Sequence, residues 1–457
     1  MSTLKVDLAL VKKYNVPGPR YTSYPPATHF TEQVTFDMLR DKIRANNETE
    51  RDLSLYFHLP FCYSLCWYCG CTTVITTKQG QSATYVEYLG KELALMKQFL
   101  NPRRKVVQIH FGGGSPTFMT PDEIRVIGEM IRSQFKVAPD VEASVEIDPR
   151  RLTRDHVKAM REAGFNRASL GVQDYDPKVQ KAVHRSQPRE MAEEVAGWLR
   201  EAGFMSLNID LIYGLPLQTQ ASFEKTLNEV LEMHPDRFAV FNYAHVPWIK
   251  PHQKIFKDGM LPTPEVKFEL LKTTIEKLTS VGYAYIGMDH FAKETDELAV
   301  AQRAKTLQRN FQGYSTRGNA DIYAFGMSSI SQAGGVYWQN QKELPDYYRM
   351  LDAGAVPHHK GFILSEDDKV RRWTIMRLMC DLGLDFAAMS RQLGLDFAAC
   401  FARELDSLAD LEADGLLRRN DGGFTVTDLG RLLIRNIAMR FDAYLSKEKE
   451  RRYSRTI

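Results

Sequence analysis

L-S-L-Y-F-H-L-P-F-C-Y-S-L-C-W-Y-C-G-C, residues 53–71, leads from a strand-like run directly into four cysteines. The chain of 457 residues holds only six cysteines, and the other two, Cys380 and Cys400, stand far away. Outward from this run the same alternation repeats. Strand-like segments at 106–111, 143–147, 167–173, 207–213, 238–244 and 283–287 are separated by amphipathic helical stretches. One helix opens T-P-D-E (120–123), with Thr at the N-cap, Pro at N1 and Glu at N3, and Ile124, Ile127 and Ile131 follow at helical spacing. R-E-A-G-F occurs at 161–165 and 200–204, and S-V-G-Y (280–283) echoes it; each places Gly as a left-handed cap before the next strand. A helical solenoid of similar period would lack those strands. Repeated βα units predict an α/β fold with a parallel sheet, either doubly wound or a full or partial barrel. Ligand chemistry then belongs at the C-terminal strand ends, where the cysteines lie.

The length suggests two or three domains, and 44% hydrophobic with 26% charged residues is ordinary for a globular chain. Sixty basic against 57 acidic residues leave +3, which implies no polyanionic partner but permits local basic pockets. The start, M-S-T-L-K-V-D-L-A-L-V-K-K, has no signal-peptide core, and no run approaches the roughly 20 apolar residues of a membrane span. A cytoplasmic protein is expected, where thiols stay reduced and disulfides are a poor account of the cluster. From about residue 365 helices (367–379, 407–417, 429–437) and a tight hairpin (418–427) make a C-terminal domain resembling a winged helix. Such modules bind DNA, but they also serve as lids or dimer surfaces.

Cys62, Cys66 and Cys69 have the spacing C-x3-C-x2-C. Three thiolates on one loop can hold three corners of a [4Fe–4S] cubane, leaving the fourth iron open. A structural zinc site wants four ligands, usually in two separated pairs, so His58 or Cys71 would have to complete it here. F-G-G-G-S-P-T (111–117) follows the second strand, where glycines either admit a ligand to the backbone or simply form a turn. Glu146 and Asp210 each put a carboxylate inside an apolar strand, which calls for an internal Arg or Lys or for a ligand's donors. Gln173 ends a strand and Arg185 follows soon after; either also reads as a surface group.

The cysteine spacing, with the aromatic Tyr68 before the last thiol, resembles the motif of the radical S-adenosylmethionine (SAM) enzymes over about residues 50–285. The resemblance implies that SAM chelates the open iron and is cleaved by one electron to methionine and a hydrogen-abstracting 5′-deoxyadenosyl radical. A narrower resemblance is to the oxygen-independent coproporphyrinogen III oxidase family. It rests on G-P-R-Y-T-S-Y-P (18–25), Y-F-H-L-P-F-C (56–62), C-W-Y-C-G-C (66–71), G-G-G-S-P-T (112–117) and E-I-D-P-R (146–150). It continues through L-G-V-Q-D (170–174), N-I-D-L-I-Y-G-L-P (208–216), F-N-Y-A-H-V-P (241–247), I-G-M-D-H-F (286–291), R-N-F-Q-G-Y (309–314) and R-L-L-I-R-N (431–436).

That family resemblance implies oxidative decarboxylation of two propionates of coproporphyrinogen III, giving protoporphyrinogen IX in haem biosynthesis. It implies a partial (β/α) barrel as radical SAM core (51–285), an N-terminal arm (1–50), an extension of the catalytic domain (286–364) and the helical C-terminal domain (365–457). Carried over by position, Cys62, Cys66 and Cys69 hold the [4Fe–4S] cluster, and two SAM molecules bind side by side. Tyr56, Gly113 and Glu146 would contact the SAM on the cluster. Gly114, Ser115, Gln173, Arg185, Asp210, Ala244, Ile330 and the backbone near Tyr68 would surround the second. Cys71, outside the cluster, and Tyr56 are carried over as catalytic. Arg20 and Lys250 are candidates for the substrate's four propionates, though each also reads as a solvated charge. The expected partners are an electron donor such as flavodoxin or ferredoxin and an unidentified acceptor; a monomer that binds no nucleic acid is expected. Haem-trafficking relatives usually lack the fourth cysteine, so Cys71 argues against them. Anaerobic haem-degrading relatives stay open as a rival, as does a non-enzymatic haem-binding protein using His245 and His290.

Overall fold

In the computed structural model each segment expected to form a strand does so: β1 (Leu53–Leu59), β2 (Lys105–Gly113), β3 (Lys136–Ile147), β4 (Arg167–Gln173), β5 (Ser206–Tyr213), β6 (Arg237–Asn242) and β7 (Tyr283–Gly287). The structure describes residues 8–445 and 453–456, so part of the N-terminal stretch read for a signal lies outside the described residues. Five further strands of the same sheet are absent from the sequence reading: β8 (His290–Lys293), β9 (Asp321–Phe325), β10 (Ile330–Ala333), β11 (Val336–Asn340) and β12 (His358–Ile363). Together they form a sheet of 12 strands among the described residues, in the order β12-β11-β10-β9-β1-β2-β3-β4-β5-β6-β8-β7.

From β9 through β6 all neighbours are parallel. The two ends of the sheet do not meet, which makes a partial barrel. Strand β7 does not extend the parallel series: β8 turns back from it and pairs antiparallel between β7 and β6. The turn passes through Gly287 and Met288, both with positive φ. Strand β3 is longer than its sequence suggests because Pro139 lies where its register with β2 shifts, and a proline is tolerated at such an irregularity.

Local signals explain the elements. Thr120 and Glu123 form the expected capping box, and Ile124, Ile127 and Ile131 are buried. Gly164, Gly203 and Gly282 have φ of +100°, +79° and +90°, the left-handed turn that lets each helix stop before its strand. Leu53, Leu55, Phe57 and Leu59 of β1 are buried along with Ser54 and His58, as a parallel sheet covered on both faces requires.

The C-terminal part holds helix Glu366–Asp381 and a three-stranded sheet that includes the expected hairpin, Leu417–Asn420 with Gly423–Val426. The helix expected over 429–437 breaks at Leu433 into Asp428–Leu432 and Ile434–Ala438. This part shares an apolar cluster with the arm, in which Tyr14, Tyr21 and Tyr24 meet Ile375, Met379, Ile437 and Phe441. Two buried arginines clamp the arm's backbone. Arg435 donates to the carbonyls of Gly18, of Pro19 (3.0 Å) and of Arg455 (3.1 Å). Arg309 donates to the carbonyls of Arg20 (3.3 Å) and Tyr21 (3.2 Å). The carbonyls of Gly18, Pro19, Arg20 and Tyr21 are thereby satisfied without a sheet.

At the N-terminal end of the strands, Arg104 and Asp321 form an ion pair with side chains 0% and 4% exposed, joined by Asn46. Arg104→Leu leaves the carboxylate buried and short of charge. We expect a loss of about 3 kcal/mol, seen as a lower urea midpoint at unchanged m-value. Arg104→Leu with Asp321→Leu should recover most of it; no recovery would mean that packing, not charge, sets the cost.

Candidate active site at the carboxyl edge of the sheet

The cysteine loop leaves β1 at its C-terminal end. Phe61–Cys62 pair with Val74–Ile75, and the Val74 N–H on Pro60 O (2.8 Å) and the Thr76 N–H on Cys62 O (3.0 Å) close the loop at its base. Side chains from distant segments hold its carbonyls. His184 Nδ1 meets Leu65 O at 2.8 Å, Gln253 Nε2 meets Tyr68 O at 3.1 Å and His252 Nε2 meets Cys69 O at 2.9 Å. Lys250 Nζ meets Cys71 O at 2.6 Å and His58 Nε2 meets Thr72 O at 2.9 Å. Lys250 is therefore engaged with the loop itself.

All four thiols are free; Cys66 is buried, Cys62 and Cys69 are half-buried and Cys71 is exposed. Among the described residues no three His, Cys, Asp or Glu side chains converge on one point that could hold a metal ion. This is not a ready-made mononuclear zinc site. A cubane asks its three thiolates to stand apart, around separate irons. The thiols still feel one another: burial, then Cys69 and Cys66, push Cys62 up to about 12. The hydrogen bond from the Cys71 thiol holds Cys69 down to about 6. Guanidinium nitrogens of Arg150 and Arg185 each stand 3.6 Å from the Cys66 sulfur. Free thiols on a braced loop with cations beside them fit a [4Fe–4S] group.

Beside the loop, β2 ends in G-G-G. A Cβ on Gly112 would stand 2.6 Å from Glu146 Oε1, one on Gly113 2.6 Å from the His58 ring and one on Gly114 2.4 Å from Pro60 O. These glycines are more than a turn, since each marks a close approach. Their amides are taken: Gly113 N–H donates to Glu146 (3.2 Å), Gly114 N–H to Leu59 O (2.9 Å) and Ser115 N–H to Phe61 O (2.9 Å). The Ser115 hydroxyl meets that of Thr117 at 2.9 Å.

Among the described residues neither strand carboxylate pairs with Arg or Lys. Glu146, its side chain 42% exposed, accepts from His110 Nε2 at 3.1 Å. Burial pushes its carboxyl up, but the His110 hydrogen bond and charge outweigh it, and the net shift is downward. Tyr56 stacks on His110 with ring centroids 5.7 Å apart, and its hydroxyl lies 3.3 Å from His58 Nδ1. With His58 Nε2 on a carbonyl, the ring proton sits on Nε2, so Nδ1 accepts from Tyr56. Asp210 accepts from Ser169 (2.8 Å) and Asn208 (2.7 Å), and burial pushes it up to about 7.

Gln173 closes β4 with φ +70°, a strained backbone of the kind that clusters at functional sites. Its Nε2 and Arg185 Nη2 both lie over Gly171, 2.9 and 3.1 Å from where a Cβ would stand. Arg185 is buried, not a surface group, and bonds Asp148 (3.1 Å) and Gly171 O (2.8 Å). Ala244 is exposed just beyond β6, and Ile330 opens β10 at the same edge, across β9 from β1. Arg20 ion-pairs with buried Asp289. His290 is half-buried beside the rings of Phe241 and Tyr314, desolvation pushes it down to about 4, and His245 Nδ1 lies 3.0 Å from the Tyr243 hydroxyl. The sequence reading overlooks His110, Asp148 and Arg150; His110 carries the same signal as Glu146, a polar residue in an apolar strand.

Residues 56–230 match the family model of the Radical SAM superfamily, and 364–433 match that of the HemN C-terminal domain. A Synechocystis protein named oxygen-independent coproporphyrinogen III oxidase is 45% identical over 100% of this chain and 99% of its own. The chain belongs to the oxygen-independent coproporphyrinogen III oxidase family. An Escherichia coli protein of that name is 46% identical over 99% of this chain and 98% of its own. The solved structure of coproporphyrinogen III oxidase (HemN) from Escherichia coli, a radical SAM enzyme, gives a TM-score of 0.92 at 44% identity, covering 97% of this chain and 100% of that one. This family member is thus an oxidoreductase of the radical SAM type, which uses a [4Fe–4S] cluster and SAM. Among the described residues no helix is long and apolar enough to cross a membrane.

Proposed function

We propose that this chain converts coproporphyrinogen III to protoporphyrinogen IX by oxidative decarboxylation of two propionates to vinyl groups. The carrying observation is that its likeness to proteins of that name runs through the arm and the C-terminal part as well as the core. When bound, the cluster supplies the electron that cleaves SAM and so the means to remove a substrate hydrogen. Cys62, Cys66 and Cys69 hold it, while Cys71 stays off the metal and serves turnover. Tyr56, Gly113 and Glu146 take the SAM on the cluster. Gly114, Ser115, Gln173, Arg185, Asp210, Ala244, Ile330 and the backbone beside Tyr68 surround a second. Carboxylates partnered by neutral groups and histidine, rather than by cations, support both assignments.

Arg20 pairs with Asp289, Arg435 feels both charges, and burial, then the charge of Arg20, hold Arg435 down to about 9. This excess of positive charge suits a tetracarboxylate substrate, and Arg20 is the group that meets it. The chain acts as a monomer, in the cytoplasm, with a flavodoxin or ferredoxin as donor. Its plan is an arm (1–50), a core (51–285), an extension (286–364) and a C-terminal domain (365–457).

Coproporphyrinogen III with SAM and a strong reductant, kept anaerobic, should yield protoporphyrinogen IX with one CO2 released per vinyl group. Haem under the same conditions should stay intact. Ring-opened haem without divinyl product would transfer the chain to the haem-degrading relatives. SAM cleavage with neither product would sink the substrate.

Asp210 adds a pH signature. Its carboxyl is held up to about 7 in the folded chain and returns to about 4 on unfolding. The folded state binds the extra proton between those values, so this group's contribution to stability falls as pH rises through the window. Asp210→Asn should flatten that part of the profile. Equal slopes of urea midpoint against pH for wild type and variant would contradict it.

A further inference from the structure

Cys66 is the buried member of the three thiols, and it alone among them receives guanidinium hydrogen bonds among the described residues. Arg150 Nη2 and Arg185 Nη1 each lie 3.6 Å from its sulfur. One carboxylate holds both cations. Asp148 takes Arg150 through Nε at 3.0 Å and Nη2 at 2.7 Å, and Arg185 through Nη1 at 3.1 Å. Arg150 also reaches Ser64 Oγ within the cysteine loop, at 3.5 Å. Among the described residues the buried Arg185 Nε has no hydrogen-bond partner.

Two cations against one carboxylate leave a net positive charge beside the Cys66 sulfur. Buried charge of one sign is costly unless it is paired. A neutral thiol does not pair it, whereas a thiolate carrying part of a cluster's negative charge does. Hydrogen bonds to cluster sulfurs and local net charge set reduction potential, and both favour the reduced, more negative state here.

We infer that Arg150, oriented by Asp148, is a positioning residue that donates to the Cys66 sulfur and raises the reduction potential of the cluster at that corner. This rests on the cluster assignment above. Arg150 is the informative member of the pair, because its contacts are Cys66, Ser64 and Asp148, whereas Arg185 also faces Gly171 and Gln173.

The test compares wild type, Arg150→Met and Arg150→Lys after anaerobic reconstitution, reading iron per chain and the midpoint potential by spectroscopically monitored titration. About four irons per chain are expected in all three. The Met variant should be reduced only at a more negative potential, and Lys, which keeps the charge, should lie between Met and wild type. SAM cleavage with a weak donor should slow in the same order, with KM for SAM unchanged. Wild-type potentials in both variants would overturn the proposal. So would loss of iron from both, since the guanidinium would then be only a brace for the loop. A wild-type chain that binds no iron fails the cluster assignment itself and carries this inference down with it.

Discussion

Replacing Cys62, Cys66 or Cys69 by Ser abolishes iron binding and lowers SAM cleavage by at least about a thousandfold. The loop is held by His184, Gln253, His252, Lys250 and His58 independently of metal, so each variant should remain folded with its site empty. Neither distant thiol can take the vacated corner: Cys380 is buried in a different apolar cluster, and Cys400 lies in the C-terminal part. Cys71→Ser provides the internal contrast. It should keep its iron, since a fourth thiolate ligand would fill the position that SAM needs and Cys71 stays off the metal, and it should lose porphyrinogen turnover. Iron content and the visible absorbance of the reconstituted proteins decide both points. Loss of iron from Cys71→Ser as complete as from Cys66→Ser would place Cys71 on the metal and overturn the assignment.

Gly114→Ala should be nearly as damaging without touching a ligand. The new methyl would stand 2.4 Å from Pro60 O, 2.5 Å from Pro60 C and 2.9 Å from Phe61 O. All three are backbone atoms at the root of the cysteine loop, so no side chain can swing aside. The loop must lift from β2, breaking the 2.9 Å bonds that join Gly114 to Leu59 and Ser115 to Phe61. Overpacking of this kind costs about 1–3 kcal/mol. Displacing the thiols by a fraction of an ångström to one ångström should cost about a hundredfold in turnover. Gly197→Ala, in helix Arg189–Glu201 with nothing within 4 Å, should be neutral or stabilising by up to about 1 kcal/mol. Equal activity in the two glycine variants would show that the close packing at Gly114 does not govern the site.

The parallel strands were legible because each carries its own signal: an apolar run behind a helix that stops at a left-handed glycine, as at Gly164, Gly203 and Gly282. The antiparallel wing from β9 to β12 was not. D-I-Y-A-F and V-Y-W-Q-N are buried at every position, yet I-S-Q-A and H-H-K-G-F-I mix polar with apolar residues, and the first three of the four follow one another with no helix between them. Their pairing is a property of the folded sheet. The site divides in the same way. Cysteine spacing and carboxylates in apolar strands are local patterns, and both stood out. The Asp148 clamp on Arg150 and Arg185 joins residues up to 37 positions apart, and the hold of Lys250 on Cys71 spans 179. Arg185 read as a surface group because nothing in H-R-S discloses that Asp148 and Gly171 bury it.

The clamp on the arm has a consequence for biosynthesis. Arg435 stands 417 positions after Gly18 and 416 after Pro19, and the Tyr21 hydroxyl waits for Asp442, 421 positions on. A ribosome adding roughly 5–20 residues per second needs about 20–80 s to cover that interval. Through that time β1 to β6 can pair, and the arm can meet Asp289 and Arg309, while Gly18, Pro19 and the Tyr21 hydroxyl wait for their partners. The grip on Gly18 and Pro19 is therefore completed last, after the cysteine loop and its surrounding strands are in place. A chain released before residue 435 would carry the thiols, the sheet and the Arg309 contacts but lack the half of the grip that Arg435 and Asp442 supply.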